Sequence, residues 1–196
     1  MIHKELWAML EKAVPADVCK RSMAAFDAQG CCYVLQSLGD EFRIDPARQK
    51  IFKNNGSVPE KDWNIYIAFV QYLLNAKDER PAGEWVNEKQ LVAGEFFFRG
   101  PHVLPVDSIE TAYGSDAECF VKRCEALGGV KMPGMGDAAV KLQVLPRIEV
   151  VYILWKADDE FPAQVKVLFD RTADRHLPLD AILSMMNYTQ KKFMGS

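Results

Sequence analysis

Apolar positions recur at helical spacing near the start of the chain. Over residues 3–13 they return every three or four positions, which predicts an amphipathic helix. Pro15 cannot lie inside that helix, but proline is tolerated in the first turn of a helix. We therefore expect a second helix over residues 16–28, ended by Gly30.

The pattern then changes to the alternation that is typical of strands. Residues 31–38 are predicted as a strand, Gly39-Asp40 as a turn and residues 41–45 as the return strand. Phe42 and Ile44 would lie on one face of this hairpin. A β-hairpin is therefore expected after the first two helices.

A long helix is predicted in the middle of the chain, over residues 59–76. Ser57-Val58-Pro59-Glu60 offers an N-cap and a capping-box partner at its start. The apolar stripe behind this start is wide, so the helix is expected in the core. The stripe residues are Trp63, Ile67, Val70 and Leu74, widened by Tyr66, Phe69 and Leu73.

Glycine and proline interrupt the next part of the chain, so residues 84–106 are predicted to be irregular. Two short helices are expected after it, one from Asp107 and one capped at Ser115-Asp116 and running to about Ala126. Residues 128–136 are glycine-rich and are predicted to be a flexible connection.

The C-terminal third predicts an antiparallel three-strand meander. Residues 140–145 alternate as a strand with one solvated face does, whereas Ile148–Trp155 is apolar on both faces, as a central strand would be. Residues 163–169 complete the meander, and Pro178 opens a last helix. We therefore expect an α+β domain over residues 1–196. Its antiparallel sheet, made of the hairpin and the meander, would be packed by N-terminal, central and C-terminal helices, with the central helix on one face.

Composition limits the classes of protein. The chain has 196 residues, of which 49% are hydrophobic and 26% charged, so it can bury a core without metal or disulfides. A net charge of −3 with scattered Lys and Arg argues against nucleic acid as a partner. Five unpatterned cysteines, a charged N-terminus and the lack of a run of about 20 apolar residues indicate a cytoplasmic protein without a membrane span.

One segment matches a dinucleotide-binding motif but lacks the flanking strand and helix that the motif requires. Residues 134–139 have the form G-x-G-x-x-A, which binds a dinucleotide only between a strand and a helix N-terminus. Here Lys131-Met132-Pro133 comes before the glycines and a predicted strand comes after them. The segment is therefore interpreted as a loop.

Metal and nucleophile motifs are also missing from the sequence. It contains no C-x-x-C, no H-E-x-x-H and no G-x-S-x-G. We interpret the cysteines as buried and unreactive and the three histidines as ordinary core or surface residues, and we expect no metal site. A catalytic pair such as Cys119 with His102 would form only if the tertiary fold happened to bring the two residues together.

The run of acids after the central strand is one candidate site. In an extended loop Asp158 and Glu160 project the same way, so they could converge on a cation or a substrate amine, with Asp170 or Asp174 as a third ligand. Trp155 and Phe161 flank the acids, and a functional tip would lie beside a cleft walled by one of them. The alternative is a solvated hairpin tip whose charges discourage aggregation.

The aromatic run is the other candidate. Phe96-Phe97-Phe98, with Arg99, His102 and Trp85 nearby, could wall a pocket for a flat apolar ligand with a basic handle. The alternative is that these rings pack onto the sheet as core residues. Both alternatives stay open on the sequence alone.

Several short blocks resemble a known family in their order and spacing. They are Gly83-Glu84-Trp85, Gly94, Tyr113-Gly114, Gly128-Gly129, Leu145-Pro146-Arg147, Leu154-Trp155, Asp158-Asp159-Glu160-Phe161-Pro162, Leu168-Phe169-Asp170 and Leu177-Pro178. Over most of its length the chain resembles the bacterial and archaeal family called domain of unknown function 3786. The resemblance implies an anaerobic source, and some members carry a four-cysteine iron–sulfur module of the kind seen in corrinoid proteins. This chain lacks that module, and the family supplies no catalytic residues.

The leading hypothesis is a cytoplasmic binding or accessory domain for a corrinoid, another anaerobic cofactor or its carrier protein. The alternative is a small enzyme that uses the Asp158 and Glu160 pair with a histidine or arginine, optionally with a divalent cation. The sequence names no cofactor. The candidate ligand-binding residues are Trp85, Phe98, His102, Arg147, Trp155, Asp158, Glu160, Phe161 and Asp170.

Overall fold

The computed structural model describes residues 4–54, 56–59 and 62–195, in which helices pack on two antiparallel sheets. The predicted α+β class is confirmed. The helices of the described residues are α1 (Lys4–Lys12), α2 (Pro15–Ser22), α3 (Trp63–Asn75), α4 (Gly94–Phe97), α5 (Asp107–Tyr113), α6 (Ala117–Ala126), α7 (Ala173–His176) and α8 (Leu179–Phe193). Within the same ranges, no helix combines the length and the hydropathy that crossing a bilayer requires.

The strands form two sheets, and the predicted hairpin and the predicted meander lie in different sheets. The first sheet is β1 (Ala25–Asp27), β2 (Cys32–Ser37), β3 (Asp40–Asp45), β4 (Lys50–Lys53) and β5 (Gly56–Ser57). The second contains β6 (Trp85–Val86), β7 (Val130–Lys131), β8 (Ala138–Leu145), β9 (Ile148–Trp155) and β10 (Gln164–Asp170), in the spatial order β6-β10-β9-β8-β7. The predicted hairpin is confirmed as β2 and β3, with Tyr33 opposite Ile44.

The predicted helix over residues 16–28 is wrong in its second half. Helix α2 ends at Ser22, because Met23 takes a left-handed conformation with φ 58° and the Ser22 hydroxyl donates to the carbonyl of Val18. The next residues form β1, where Ala25 pairs with Val34. Pairing with β2 therefore outweighs the helical propensity of this short segment.

The start of the central helix also differs from the prediction. Ser57 lies in β5, opposite Phe52, and the helix begins at Trp63. The N–H of Val58 donates to the carbonyl of Ile51, so the strand pairing continues up to Pro59. A residue before proline avoids the helical region, which favours this extended start. The predicted capping partner, Glu60, lies outside the described residues.

Helix α3 packs most extensively on α8, with α1 and α2 on its other sides. Between ring centroids, Phe69 of α3 lies 4.8 Å from Phe42 of the first sheet and 6.0 Å from Tyr188 of α8. The Tyr72 hydroxyl donates to the carbonyl of Ser22 at 2.8 Å and accepts the backbone N–H of Arg147 at 3.0 Å. The helix thus links α2, α8 and the β8–β9 turn, and contacts the second sheet less than was predicted.

Strand β9 is the centre of the second sheet, as predicted. Its Tyr152 lies opposite Val140 of β8 and Val167 of β10. Val150, Tyr152 and Leu154 enter the main core, which also contains the inner face of the first sheet and the helices. Because strand side chains alternate, the residues between them lie on the opposite face of the sheet.

Several short elements occupy segments that were predicted to be irregular or flexible. Strand β6 and helix α4 form within residues 84–106, and β7 forms within residues 128–136. Strand β6 pairs with the end of β10, where Asp170 lies opposite Trp85. Where the two sheets meet, the Ser37 hydroxyl donates to the carbonyl of Val144 at 2.7 Å.

Candidate functional site

The face of the second sheet that points away from the main core carries its own apolar cluster. Its buried floor consists of residues from the two central strands, and its partly buried rim includes two tryptophans from different strands. We call this surface the tryptophan face, and its residues are Trp85, Met132, Met135, Ala139, Val151, Ile153, Trp155 and Leu168. The pairing of β6 with β10 brings Trp85 to this face, which the sequence did not indicate.

The glycine loop between β7 and β8 covers one side of the tryptophan face. Gly136 has φ +55°, and a Cβ atom there would lie 2.6 Å from the carbonyl oxygen of Leu154, so the close approach requires glycine. The N–H of Asp137 donates to the same carbonyl at 2.9 Å, and the Asp137 carboxylate accepts the N–H of Lys156 at 2.8 Å. The glycines of the motif that resembles a dinucleotide site therefore lie in a structural loop, and β8 begins within the motif at Ala138.

Charged side chains surround the apolar floor. The ammonium of Lys166 lies 5.2 Å from the centroid of the Trp155 ring, which is cation–π distance. Lys141 and Glu149 form an ion pair at 2.8 Å on the neighbouring strands. The tryptophan face therefore offers flat aromatic surfaces beside basic groups.

The acidic tip after β9 is a self-contained turn. The Asp158 carboxylate accepts the N–H groups of Glu160 at 2.9 Å and Phe161 at 2.7 Å, and the Asp158 N–H donates to the carbonyl of Phe161. Hydrogen bonds from these two N–H groups hold the pKa of Asp158 below its ordinary value. Asp158 is thus an ionised turn residue, and Glu160 is exposed.

A shallow cleft of about 540 Å³ lies beside this tip. Trp155 and Phe161 both line it, together with the carboxylates of Asp158, Asp137 and Glu110. One oxygen of each carboxylate accepts a backbone N–H, as for Glu110 with Val165 at 2.7 Å. The cleft lining contains Asp158 but not Glu160, so the two acids do not act there as a pair.

Arg147 is buried at the turn between β8 and β9. Its guanidinium donates to the carbonyls of Arg21 at 2.6 Å, Glu79 at 2.8 Å and Lys20 at 3.1 Å. It also forms an ion pair with Asp78 at 2.6 Å. These bonds tie the end of α2 and the segment after α3 to the second sheet, so Arg147 has a structural role.

Asp170 is fully buried at the end of β10. Its carboxylate accepts the N–H groups of Ala82 at 3.0 Å and Gly83 at 2.6 Å, and both the N–H and the hydroxyl of Thr172. Burial alone would raise the pKa of Asp170, but these hydrogen bonds hold it below its ordinary value. The carboxylate therefore fixes the backbone before β6. The prediction that Asp170 could be a third ligand at the acidic tip is wrong, because both of its oxygens accept hydrogen bonds in the interior.

His176 is a buried residue that the sequence did not single out. Its Nδ1 accepts the N–H of Lys77 at 3.2 Å, and its Nε2 has no hydrogen-bond partner among the described residues. Burial lowers the pKa of His176, while the carboxylate of Glu79 opposes that shift. Arg147, Asp170 and His176 all bind the segment 77–83 or its neighbours, and we call these three residues the anchor cluster.

The aromatic run divides between core and surface. Phe98 is buried in the main core, whereas Phe96 is 79% exposed under the guanidinium of Arg99, 5.3 Å away. His102 is exposed and stacks on Phe97, with ring centroids 4.7 Å apart. Phe98 therefore belongs to the core, and His102 is not among the residues of the tryptophan face.

All five cysteines are free thiols. Cys32 and Cys124 are buried, and burial raises the pKa of both thiols, so neither is a ready nucleophile. Cys31 and Cys119 are exposed. In the described ranges, no three His, Cys, Asp or Glu residues are placed to hold a metal ion.

The chain was compared with family models, with curated proteins and with solved structures, and a family model matches it. The model of a family described as "Domain of unknown function (DUF3786)" matches residues 14–192. No curated protein and no solved structure matches the chain significantly.

Proposed function

We propose a function from the site itself, because the chain belongs to the family of domain of unknown function 3786 and the description of that family names no activity. The proposed function is that of a binding or accessory domain that holds a cofactor with a large flat ring on the tryptophan face. The observation that carries this proposal is the placement of Trp85 and Trp155 on one sheet face over a buried apolar floor. Tryptophan contributes large contact area with little loss of conformational entropy on binding.

The surroundings of the face support a ligand with polar or anionic substituents. Lys166 lies over the Trp155 ring, and Lys141 is held at the edge by Glu149. A ligand that displaced Lys166 from the ring would gain the aromatic contact and keep the ammonium as a neighbour. Binding of this kind needs an apolar floor and a few well-placed polar groups.

A corrinoid is a cofactor of this shape, and the resemblance to a family of anaerobic bacteria and archaea favours it. The scattered basic residues and free cysteines suit a cytoplasmic protein that does not bind nucleic acid. A cofactor-carrying protein that covers the same face is the competing partner.

The acid-pair enzyme has less support. Asp158 already accepts two backbone N–H groups, and its lowered pKa makes it a poor proton donor near neutral pH. Glu160 lies outside the cleft lining. The three carboxylates of the cleft suit the recognition of a positively charged substituent better than acid–base chemistry.

Equilibrium dialysis with hydroxocobalamin tests the proposal. We expect saturable binding that Trp155→Ala and Trp85→Ala each weaken about tenfold or more, since loss of an aromatic anchor removes on the order of 1.4 kcal/mol or more. Trp63→Ala is the matched control, because Trp63 is 47% exposed but lies at the start of α3.

Absence of saturable binding would contradict the corrinoid proposal. Binding that Trp63→Ala weakens as much as the other two variants would place the ligand elsewhere. Binding only in the presence of a corrinoid-loaded carrier protein, still sensitive to Trp155→Ala, would favour the carrier as the partner.

A further inference from the structure

A separate cavity lies between the first sheet and α8. It has a volume of about 250 Å³ and is lined by residues from β3, β4, β5 and the start of α3 as well as α8. Its lining consists of Phe42, Lys53, Gly56, Ser57, Val58, Pro59, Asp62, Ile65, Tyr188 and Lys192. None of these residues belongs to the tryptophan face or the anchor cluster.

Two lysines that line this cavity share one carboxylate oxygen of a neighbouring residue. Lys53 of β4 and Lys192 of α8 each place their ammonium 2.7 Å from the same Oδ2 atom of Asp40. Asp62, which also lines the cavity, is paired with Lys191 at 3.1 Å. Among the described residues that line the cavity, Lys53 and Lys192 are cationic and Asp62 is anionic, so the lining itself has an excess of one positive charge.

Tyr188 adds a hydrogen-bond donor that the protein itself does not use. Its side chain is almost completely buried, it lines the cavity, and its hydroxyl has no hydrogen-bond partner in the described part of the chain. A buried hydroxyl without a partner is unfavourable, so such groups usually have a ligand or a water to bind. Tyr188 and Lys192 are four residues apart on α8, and therefore lie on the same side of that helix.

The hydroxyl is suited to donate and not to be ionised. Burial raises the pKa of Tyr188, and the nearby Asp40 carboxylate raises it further. A ligand that accepts hydrogen bonds and carries negative charge would therefore satisfy the hydroxyl and the excess ammonium charge together. Gly56 and Ser57 also line the cavity and are exposed.

From this arrangement we propose that the cavity is a binding site for a phosphate group, held by the ammoniums of Lys53 and Lys192 and by the hydroxyl of Tyr188. The volume admits a phosphate with a small substituent, so the source is free phosphate or the phosphate end of a small metabolite. The site is independent of the proposed function, because it shares no residue with the tryptophan face.

Calorimetric titration with inorganic phosphate and with glycerol 3-phosphate, at constant ionic strength, tests this site. We expect saturable binding of at least one of them, and the tighter of the two identifies the source. Tyr188→Phe should weaken it about tenfold, as expected for one hydrogen bond to a charged group. Lys192→Met should weaken it more than tenfold.

The stability of the unliganded variants separates binding from folding. Tyr188→Phe removes a hydroxyl without a partner, so its melting temperature should equal or exceed that of the wild type. Lys122→Met is the control for charge, because Lys122 is an exposed lysine that pairs with Glu118 on α6. A response to phosphate that chloride reproduces, or that Tyr188→Phe leaves unchanged, would overturn the proposal.

Discussion

The anchor cluster and the tryptophan face involve neighbouring residues of the chain, but one region is enclosed in the protein and the other is partly exposed. The segment Gly83-Glu84-Trp85 contributes to both, since the N–H of Gly83 binds Asp170 while Trp85 packs on the outer face of the sheet. In the anchor cluster the side chains of Arg147, Asp170 and His176 are buried, and their polar contacts are made to other groups of the protein. On the tryptophan face the aromatic rings stay partly exposed. The difference teaches that one short block can serve both purposes. Gly83 is fixed by a hydrogen bond to a buried carboxylate, and Trp85, two residues later, is presented on the outer face of the sheet.

Two aspartates show the same contrast at the level of single groups. Asp158 and Asp170 both accept backbone N–H groups, and both have a pKa below the ordinary value. Asp170 does so in the interior, where losing the hydrogen bonds would leave a buried polar group without partners. Asp158 does so in solvent, where water replaces any lost bond. Substitutions in the two regions should therefore differ greatly in their effect on stability.

The largest effect is expected for Arg147→Met. It removes four guanidinium contacts and leaves the carbonyls of Lys20, Arg21 and Glu79 without their donor. We expect the free energy of unfolding to fall by about 3 kcal/mol, measured by urea denaturation. Arg171→Met is the control, because Arg171 forms an exposed ion pair with Glu84 and its loss should change stability by about 0.5 kcal/mol or less. Equal effects would contradict the structural role of Arg147.

Asp170→Asn should be the next most destabilising change, by about 2 kcal/mol at pH 7, since an amide cannot accept all four hydrogen bonds of the carboxylate. Because the folded pKa of Asp170 is lowered, its contribution is complete above the unfolded pKa of about 3.9 and is lost as the pH falls below it. Denaturation curves at pH 7 and pH 3 should therefore differ less for the variant than for the wild type. A pH dependence identical to that of the wild type would contradict this account.

His176 predicts a pH dependence in a higher range. Its folded pKa is lowered, so below the unfolded pKa of about 6.5 the unfolded chain binds a proton that the folded protein does not. The stability contribution is therefore present above pH 6.5 and declines as the pH falls from there. His176→Gln should reduce the loss of stability between pH 7 and pH 5, whereas the control His102→Gln, at an exposed histidine, should not. If only His102→Gln reduced the loss of stability between pH 7 and pH 5, the pH dependence would come from the exposed histidine and not from His176.

The smallest effect is expected at the acidic tip. The double change Asp158→Asn with Glu160→Gln should alter the free energy of unfolding by about 0.5 kcal/mol or less, because both residues are exposed and asparagine can still accept the turn hydrogen bonds. The melting temperature from calorimetry measures this. A loss as large as that of Arg147→Met would show that the tip is part of the folding core.

Elements with a long hydrophobic pattern could be predicted from the sequence. Strand β9 was recognised as central because it is apolar on both faces, and α8 and α6 follow their helical patterns and caps. The strands β4, β5, β6 and β7 were missed, since two to four residues are too few to show a period. The end of α2 depends on the pairing of β1 with β2, which is a tertiary contact.

The candidate site could be predicted only in part, for a related reason. Trp85 and Trp155 were both candidates, but their common face depends on the two-residue pairing of β6 with β10. Arg147 and Asp170 are ordinary polar residues in sequence, and only the fold shows that each is enclosed by backbone groups. His176 had no local signal, because its burial is set by α3 and the segment after it.

The central claim is that the tryptophan face binds and the anchor cluster only supports it. The four tryptophans offer a direct test, since Trp7 is buried in the main core and Trp63 lies at the start of α3. Indole N–H signals in a nitrogen-15 NMR titration with hydroxocobalamin, assigned by Trp→Phe variants, report on all four at once. The account predicts saturable shifts at Trp85 and Trp155 and none at Trp7 or Trp63. Shifts confined to Trp63, or no saturable shift at Trp85 and Trp155, would contradict it.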